Sequence, residues 1–327
     1  MQAPAHSKIL RKVWSIRELS ILIATIAVGF FFYLGNHIFV TPYNLSIVLM
    51  MSSDVGLVAI PMALLLISGE FDLSVGSVYA LVPIIANVMY KTVLPNIWIT
   101  SIISLLMACM FGLANGLLTV KVGIPSFIVT MGTWFFFGSL ALIVSGGLPQ
   151  GIPTTSFYNL GGYVTISGLP FAVEMIWLAG TAVLFYLILE KTRHGNWSMG
   201  TGSNKMAAIM MGVKTNRVKI INFMLTSLFA GLLGILDLSR MSATTPTQGT
   251  ALTFEAIAAA VIGGVSLSGG AGSIIGTLIG SILLGSIYNG LILIGAGYYW
   301  FQGFVGAIVV IAAVINLRVA KARGSNA

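Results

Sequence analysis

The chain has 327 residues, 57% of them hydrophobic and only 7% charged, with a mean hydropathy of +1.00 and a formal net charge of +8. Soluble globular domains carry about 25% charged residues, so a soluble fold is excluded. At roughly 20 residues per spanning helix, this length crosses a bilayer about ten times and leaves no room for a sizeable soluble domain. The apolar runs are continuous and about twice as long as the roughly ten-residue alternating segments of a membrane β-barrel, which leaves helices.

Lys8, Arg11, Lys12 and Arg17 precede an apolar run from Ile21 to Leu34. The pattern is that of a secretory signal, but no small-residue cleavage site follows and further apolar runs do, so it reads as an uncleaved first helix. Spans are expected at 19–36, 45–68, 74–90, 96–119 and 125–146, then at 171–190, 217–238, 251–267, 271–294 and 298–317. Outside them lie a tail over 1–18, a long connection over 191–216 and a second tail over 318–327. With the N-terminus inside, fourteen of the 16 Lys and Arg residues fall on the cytoplasmic side, and only Lys91 and Arg240 fall outside. That asymmetry is what the positive-inside rule demands. It assigns the net positive charge to membrane topology and not to nucleic acid. The expectation is one all-α domain over 1–327, multi-pass in a bacterial inner membrane, with both termini cytoplasmic.

The polar island Gly69-Glu70-Phe71-Asp72-Leu73-Ser74-Val75-Gly76-Ser77 follows the second span. An acidic residue at the bilayer centre costs about 2.5–3.5 kcal/mol on insertion scales, so such residues sit at an interface or serve a function. Two readings stand for Glu70, Asp72, Ser74 and Gly76. In one, Asp72 or Ser74 caps the next helix and Gly69 ends the previous one; in the other, the island gates or contacts a partner. The spacing G-x-x-D-L-S-x-G recurs as G-x-x-S-L-S-x-G over Gly263–Gly270, a short echo of the internal repeats found in transporters. Asp54 lies inside the second span, seven residues before Pro61, which removes a backbone donor and favours a kink. With Asn87, Asn115 and Asn289 it is a candidate for lining a passage, although interhelical hydrogen bonding explains intramembrane Asn equally well. Glu174, Asp237 and Glu255 are expected near the outer ends of their spans, exposed, with Asp237 pairing Arg240 for a few tenths of a kcal/mol. Gly272, Gly276 and Gly280, and likewise Gly112 and Gly116, have the spacing of closely packed helices.

Within the connection, residues 203–212 read as a complete short helix. Ser203 or Asn204 supplies the N-cap and Gly212 the left-handed terminator, Lys205 and Ala207 lie between, and Met206, Ile209 and Met210 form an apolar stripe. A helix this short is marginal in water, so it needs a docking surface or the membrane interface, and a flexible Met-rich face suits a partner groove. No catalytic constellation is visible: His6, His37 and His194 are far apart, and Cys109, the one cysteine, allows neither an internal disulfide nor a thiolate metal cluster. No G-x-x-x-x-G-K-[ST] loop occurs, so ATP, if it drives this protein, must bind elsewhere.

Three segments, GEFDLSVGS at 69–77, TGSNKMAAIMMGV at 201–213 and FEAIAAAVIGGVSLSGGAGSIIGTLIG at 254–280, together resemble the permease subunits of ABC importers for ribose and other monosaccharides, whose relatives include autoinducer-2 permeases. The resemblance runs over nearly the whole chain. It departs at Ser203, Lys205 and Ile209, where the family commonly has Gly, Glu and Arg, and at Glu70 and Phe71, where Gly and Ile are commoner. It implies a type II importer architecture in which 203–212 is the coupling helix. It further implies a second permease subunit, identical or paralogous, a cytoplasmic ATPase that carries the ATP and Mg2+, and a periplasmic solute-binding protein. On this reading the chain itself is no enzyme and binds no cofactor or metal. The implied solute is a pentose, hexose, polyol or autoinducer-2. The alternatives are an ABC permease for a branched-chain amino acid, nucleoside or cofactor, and an ion-driven secondary transporter.

Overall fold

The computed structural model describes residues 17–152, 156–166 and 169–324. Most of the expected N-terminal tail, with His6, and the last three residues of the C-terminal tail lie outside them. In the described residues the apolar runs form helices α1 (Arg17–Gly35), α2 (Pro42–Ile67), α3 (Val75–Thr92), α4 (Ile97–Leu117), α5 (Ser126–Ser145) and α6 (Glu174–Lys191). They continue with α7 (Arg193–Ser203), α8 (Lys205–Met210), α9 (Thr215–Met241), α10 (Leu252–Ile262), α11 (Ile274–Leu293) and α12 (Tyr298–Gly324). Helices satisfy every interior backbone group within one segment, the condition that hydrocarbon imposes. Polar side chains close their free ends. Thr41 Oγ1 accepts from Asn44 N at 3.4 Å with Pro42 at the first turn of α2, and Ser273 Oγ accepts from Gly276 N at 3.2 Å at the start of α11.

Seven helices, α1 to α5, α9 and α11, are long and apolar enough to cross a bilayer on their own, and an eighth arises if α6 and α7, bent by 72°, are taken together. The other two expected spans correspond to shorter apolar stretches, α10 and Tyr299–Ile311 of α12. The 11 residues of α10 rise only about 16 Å. It ends at Ile262, five residues short of the expected 267, because Gly264, the second residue of the glycine-rich run, turns the chain left-handed at φ +91°. Conversely, α12 continues past 317, so residues 318–324 of the expected tail are helical.

α2, α3, α9 and α11 form the interior, and α1 and α5 the periphery. Leu57, Val58, Ile60 and Leu64 of α2 are fully buried with Leu81 and Ile84 of α3 and Leu236 of α9, while Phe30, Phe31, Phe135 and Phe136 are exposed on α1 and α5, faces suited to lipid. The glycine spacing serves packing. A Cβ on Gly112 would lie 2.4 Å from Phe223 O, joining α4 to α9, and one on Gly280 would lie 2.2 Å from Ala259 O, joining α11 to α10. Between α5 and α6 the chain forms strand β1 (Gln150–Gly151) and the antiparallel hairpin β2 (Tyr163–Ile166) with β3 (Leu169–Ala172). β1 pairs with β4 (Ala243–Thr244), just after α9, and closes this end of the bundle.

Gly280→Ala is expected to cost about 1–3 kcal/mol, because backbone meets the new methyl, whereas Gly132→Ala, with nothing within 4 Å, is expected to be neutral. Thermal unfolding of the two variants in detergent checks the contrast.

Candidate functional site

Two polar centres stand out, one at each end of the bundle. At the end of α9 that meets β4, Arg240 is the hub. Its Nη1 donates to Glu174 Oε2 at 2.6 Å, and its Nη2 donates to Asp54 Oδ2 at 3.3 Å and also to Asp237. Tyr79 donates its hydroxyl to the other oxygen of Asp237. The Arg240 side chain is only 6% exposed, and Glu174 is wholly buried. The expectation of exposed outer-end carboxylates with a lone surface pair is therefore corrected. Helix packing brings α2, α3, α6 and α9 together, so one guanidinium serves three carboxylates from distant parts of the chain. Sequence reasoning missed this hub because it priced Arg240 as a neighbour three residues away on one helix. The available signal was that Glu174, Asp237 and Arg240 all fall at the outer end in the expected topology; Asp54, nine residues into its span, carried no such signal.

Beside the hub lies a cavity of about 350 Å³, walled by Asp54, Tyr79, Asp237, Arg240, Gln248 and Glu255 among others. Of the four candidate passage residues, Asp54 lies on its wall. The three asparagines are placed elsewhere. Asn289 and Asn44 exchange hydrogen bonds at 2.8 and 3.1 Å, Asn115 Nδ2 donates to Ser74 Oγ at 2.9 Å, and Asn87 Nδ2 donates to Gly151 O at 3.3 Å.

Running from the opposite end toward the hub, the island 69–77 ties α2, α4, α5, α9 and α10 together, with Gly76 packed on Gly249 of the cavity wall. Gly69, at φ +85°, ends α2. Glu70 forms a salt bridge with Lys219 of α9, Phe71 N donates to Ser126 Oγ of α5 at 3.2 Å, Ser74 receives Asn115 of α4, and Gly76 N donates to Thr253 Oγ1 of α10 at 3.1 Å. Asp72 does not cap α3. Its Oδ1 accepts from Ser74 N at 2.8 Å and from Ser74 Oγ at 2.6 Å, a turn of the Asx type; and Ser74, at the N-cap position of α3, makes no side-chain capping bond.

The same end carries the α7–α8 elbow. Gly202 packs so tightly that a Cβ would lie 2.0 Å from Ile67 O and 2.5 Å from Gly270 N, and Gly270 N donates to Ile67 O at 2.8 Å. A Cβ on Gly269 would lie 3.0 Å from Gly69 Cα and 3.1 Å from Gly202 Cα. The two echoed turns, 69–76 and 263–270, thus meet each other beneath the elbow. Of the two N-cap candidates Asn204 is the one used: its Oδ1 accepts from Ala207 N at 3.0 Å. Ser203 closes α7 instead, with its hydroxyl donating to Gly270 O at 3.3 Å. Gly212, at φ +80°, terminates α8. Met206, Ile209, Met210 and Met211 are exposed, and Ala208 is the buried residue.

Arg240→Ala removes the partner of three carboxylates, two of them buried, and is expected to destabilise the chain by about 3–5 kcal/mol, while Arg240→Lys keeps a cation and recovers part of that loss. Thermal unfolding and protease resistance in detergent measure both.

A family model described as branched-chain amino acid transport system / permease component matches residues 44–313. The xylose/arabinose import permease protein XylH of Sulfolobus acidocaldarius is 36% identical over 306 residues, 91% of this chain and 84% of that protein. The ribose import permease protein RbsC of Escherichia coli K12 is 31% identical over 316 residues, 96% of this chain and 97% of that one. The L-arabinose transport system permease protein AraH of the same strain is 33% identical over 315 residues, 96% and 93% respectively. With the family model covering most of its length, this chain belongs to the transport-system permease component family.

Proposed function

We propose that this chain is the membrane-spanning subunit of an ATP-driven importer that carries a monosaccharide inward. The observation that carries this reading is likeness over most of the chain to permeases named for xylose, arabinose and ribose. The family description names branched-chain amino acids, and an amino acid is the alternative solute. In this reading the whole chain is one permease domain. The α7–α8 elbow faces the cytoplasm, the Arg240 end faces outward, and both termini are cytoplasmic. ATP and Mg2+ belong to a separate ATPase, a second permease copy or paralogue completes the passage, and a binding protein delivers the solute from outside.

The chain's own part is mechanical. α8 is too short to persist alone in water, yet it presents three adjacent methionine and isoleucine side chains outward, the adaptable surface that a partner groove takes up. Movement of α8 passes to Gly202, and from there directly to the end of α2 and to the 263–270 turn. The Lys219–Glu70 bridge couples α9 to the same joint. Helix rocking then opens the passage to one side at a time, without any bond chemistry in this chain.

Replacing Met206 and Ile209 together by Asp is expected to abolish recovery of the ATPase with the permease and ATP-dependent uptake, with membrane insertion intact. Uptake unchanged in the double variant would remove α8 as the docking element.

A further inference from the structure

We infer that the 350 Å³ cavity beside Arg240 is a resting site for the solute, built to bind the hydroxyl groups of a neutral polyol and to refuse an amino acid. The inference rests on the import reading above and deepens it by assigning the site and its selectivity.

The size lies at the lower end of the roughly 300–1,000 Å³ of small-molecule sites. The argument turns on which polar atoms of the wall lack protein partners. Arg240 Nε and Gln248 Nε2 are donors with none, and Asp54 Oδ1 is an acceptor with none; all three atoms are buried. A buried polar atom left unpaired costs about 1–3 kcal/mol, so a wall whose side chains hold both kinds is complementary, once those side chains turn toward the cavity, to a group that donates and accepts. A hydroxyl does both. Tyr79, Tyr288 and Phe301 complete the wall with aromatic surface, which suits the apolar C–H faces of a sugar ring.

The same hub argues against a carboxylate-bearing solute. Strong carboxylate recognition by arginine uses two parallel N–H groups as a fork. Here both terminal nitrogens are engaged: Nη1 by Glu174, and Nη2 by Asp54 and Asp237. Both N–H groups of Nη2 are taken, so neither fork is whole; Nε is unpartnered, and three protein carboxylates surround the guanidinium. A neutral hydroxyl can accept from that single N–H without bringing a further negative charge.

Gln248 is the residue to alter, because it lies on the loop after β4 and its Oε1 accepts from Thr245 N at 3.0 Å. Gln248→Glu keeps that acceptor and replaces the unpaired donor by a carboxylate oxygen. Met51→Trp, on the same wall, fills the space without touching the polar atoms. The complete complex of permease, ATPase and binding protein is reconstituted in proteoliposomes, and the readout is labelled ribose, xylose, arabinose or leucine imported per ATP hydrolysed. The expected result is sugar and no leucine import by the unaltered complex, and about a tenfold fall in sugar per ATP in each variant, with hydrolysis still stimulated by loaded binding protein. An unchanged ratio in both variants, with the unaltered complex importing sugar, overturns the resting site and leaves the importer reading intact. Import of leucine and of none of the sugars overturns the sugar reading and this site together.

Discussion

The arrangement of the Arg240 end of the bundle depends on one buried guanidinium. Bringing Asp54, Glu174 and Asp237 to within reach of one another inside an apolar bundle would be prohibitive without a cation, since an isolated buried charge costs several kcal/mol or more. Arg240 offsets that cost for three carboxylates at once. It thereby fixes where α2, α6 and α9 meet, and through the Tyr79–Asp237 bond it recruits α3 as well. The cavity exists because these helices are held together at a polar point and do not close over it with apolar side chains.

The two centres are linked by the helices that share them. α9 carries Lys219 near one end and Asp237 with Arg240 near the other. Twenty-one residues of helix rise about 31 Å, the thickness of the hydrocarbon layer. α2 carries Asp54 on the cavity wall and Ile67 beneath the elbow. In the proposed mechanism a displacement at α8 reaches the cavity through α2 and α9, each a single helix. The glycine contacts at Gly202, Gly269 and Gly270 matter for the same reason, because backbone packed on backbone transmits a push that a long side chain would absorb.

What could be read from the sequence divides along the same line as local and non-local physics. α8 was legible because its cap, terminator and apolar stripe all lie within ten residues. The apolar runs likewise declared most of the membrane helices, and the four-residue glycine spacing declared close packing. α10 was over-extended because its apolar run continues past the glycines that end it. Arg240 was misjudged for the opposite reason: its partners come from positions 54 and 174 as well as 237, and only tertiary packing reveals that they converge. For the asparagines the sequence leaves passage lining and interhelical hydrogen bonding equally open, and packing adds that Asn289 is one half of a reciprocal amide pair with Asn44.

The central claim, that this permease works as one part of an ATP-driven sugar importer, is tested most directly by purifying the tagged chain in mild detergent after expression with its neighbouring genes, identifying its companions by mass spectrometry, and following ATP hydrolysis as sugar-loaded binding protein is added. The account expects an ATPase to co-purify and its turnover to rise with a loaded, but not an empty, binding protein. A chain that purifies without an ATPase and moves solute under an ion gradient alone would contradict it.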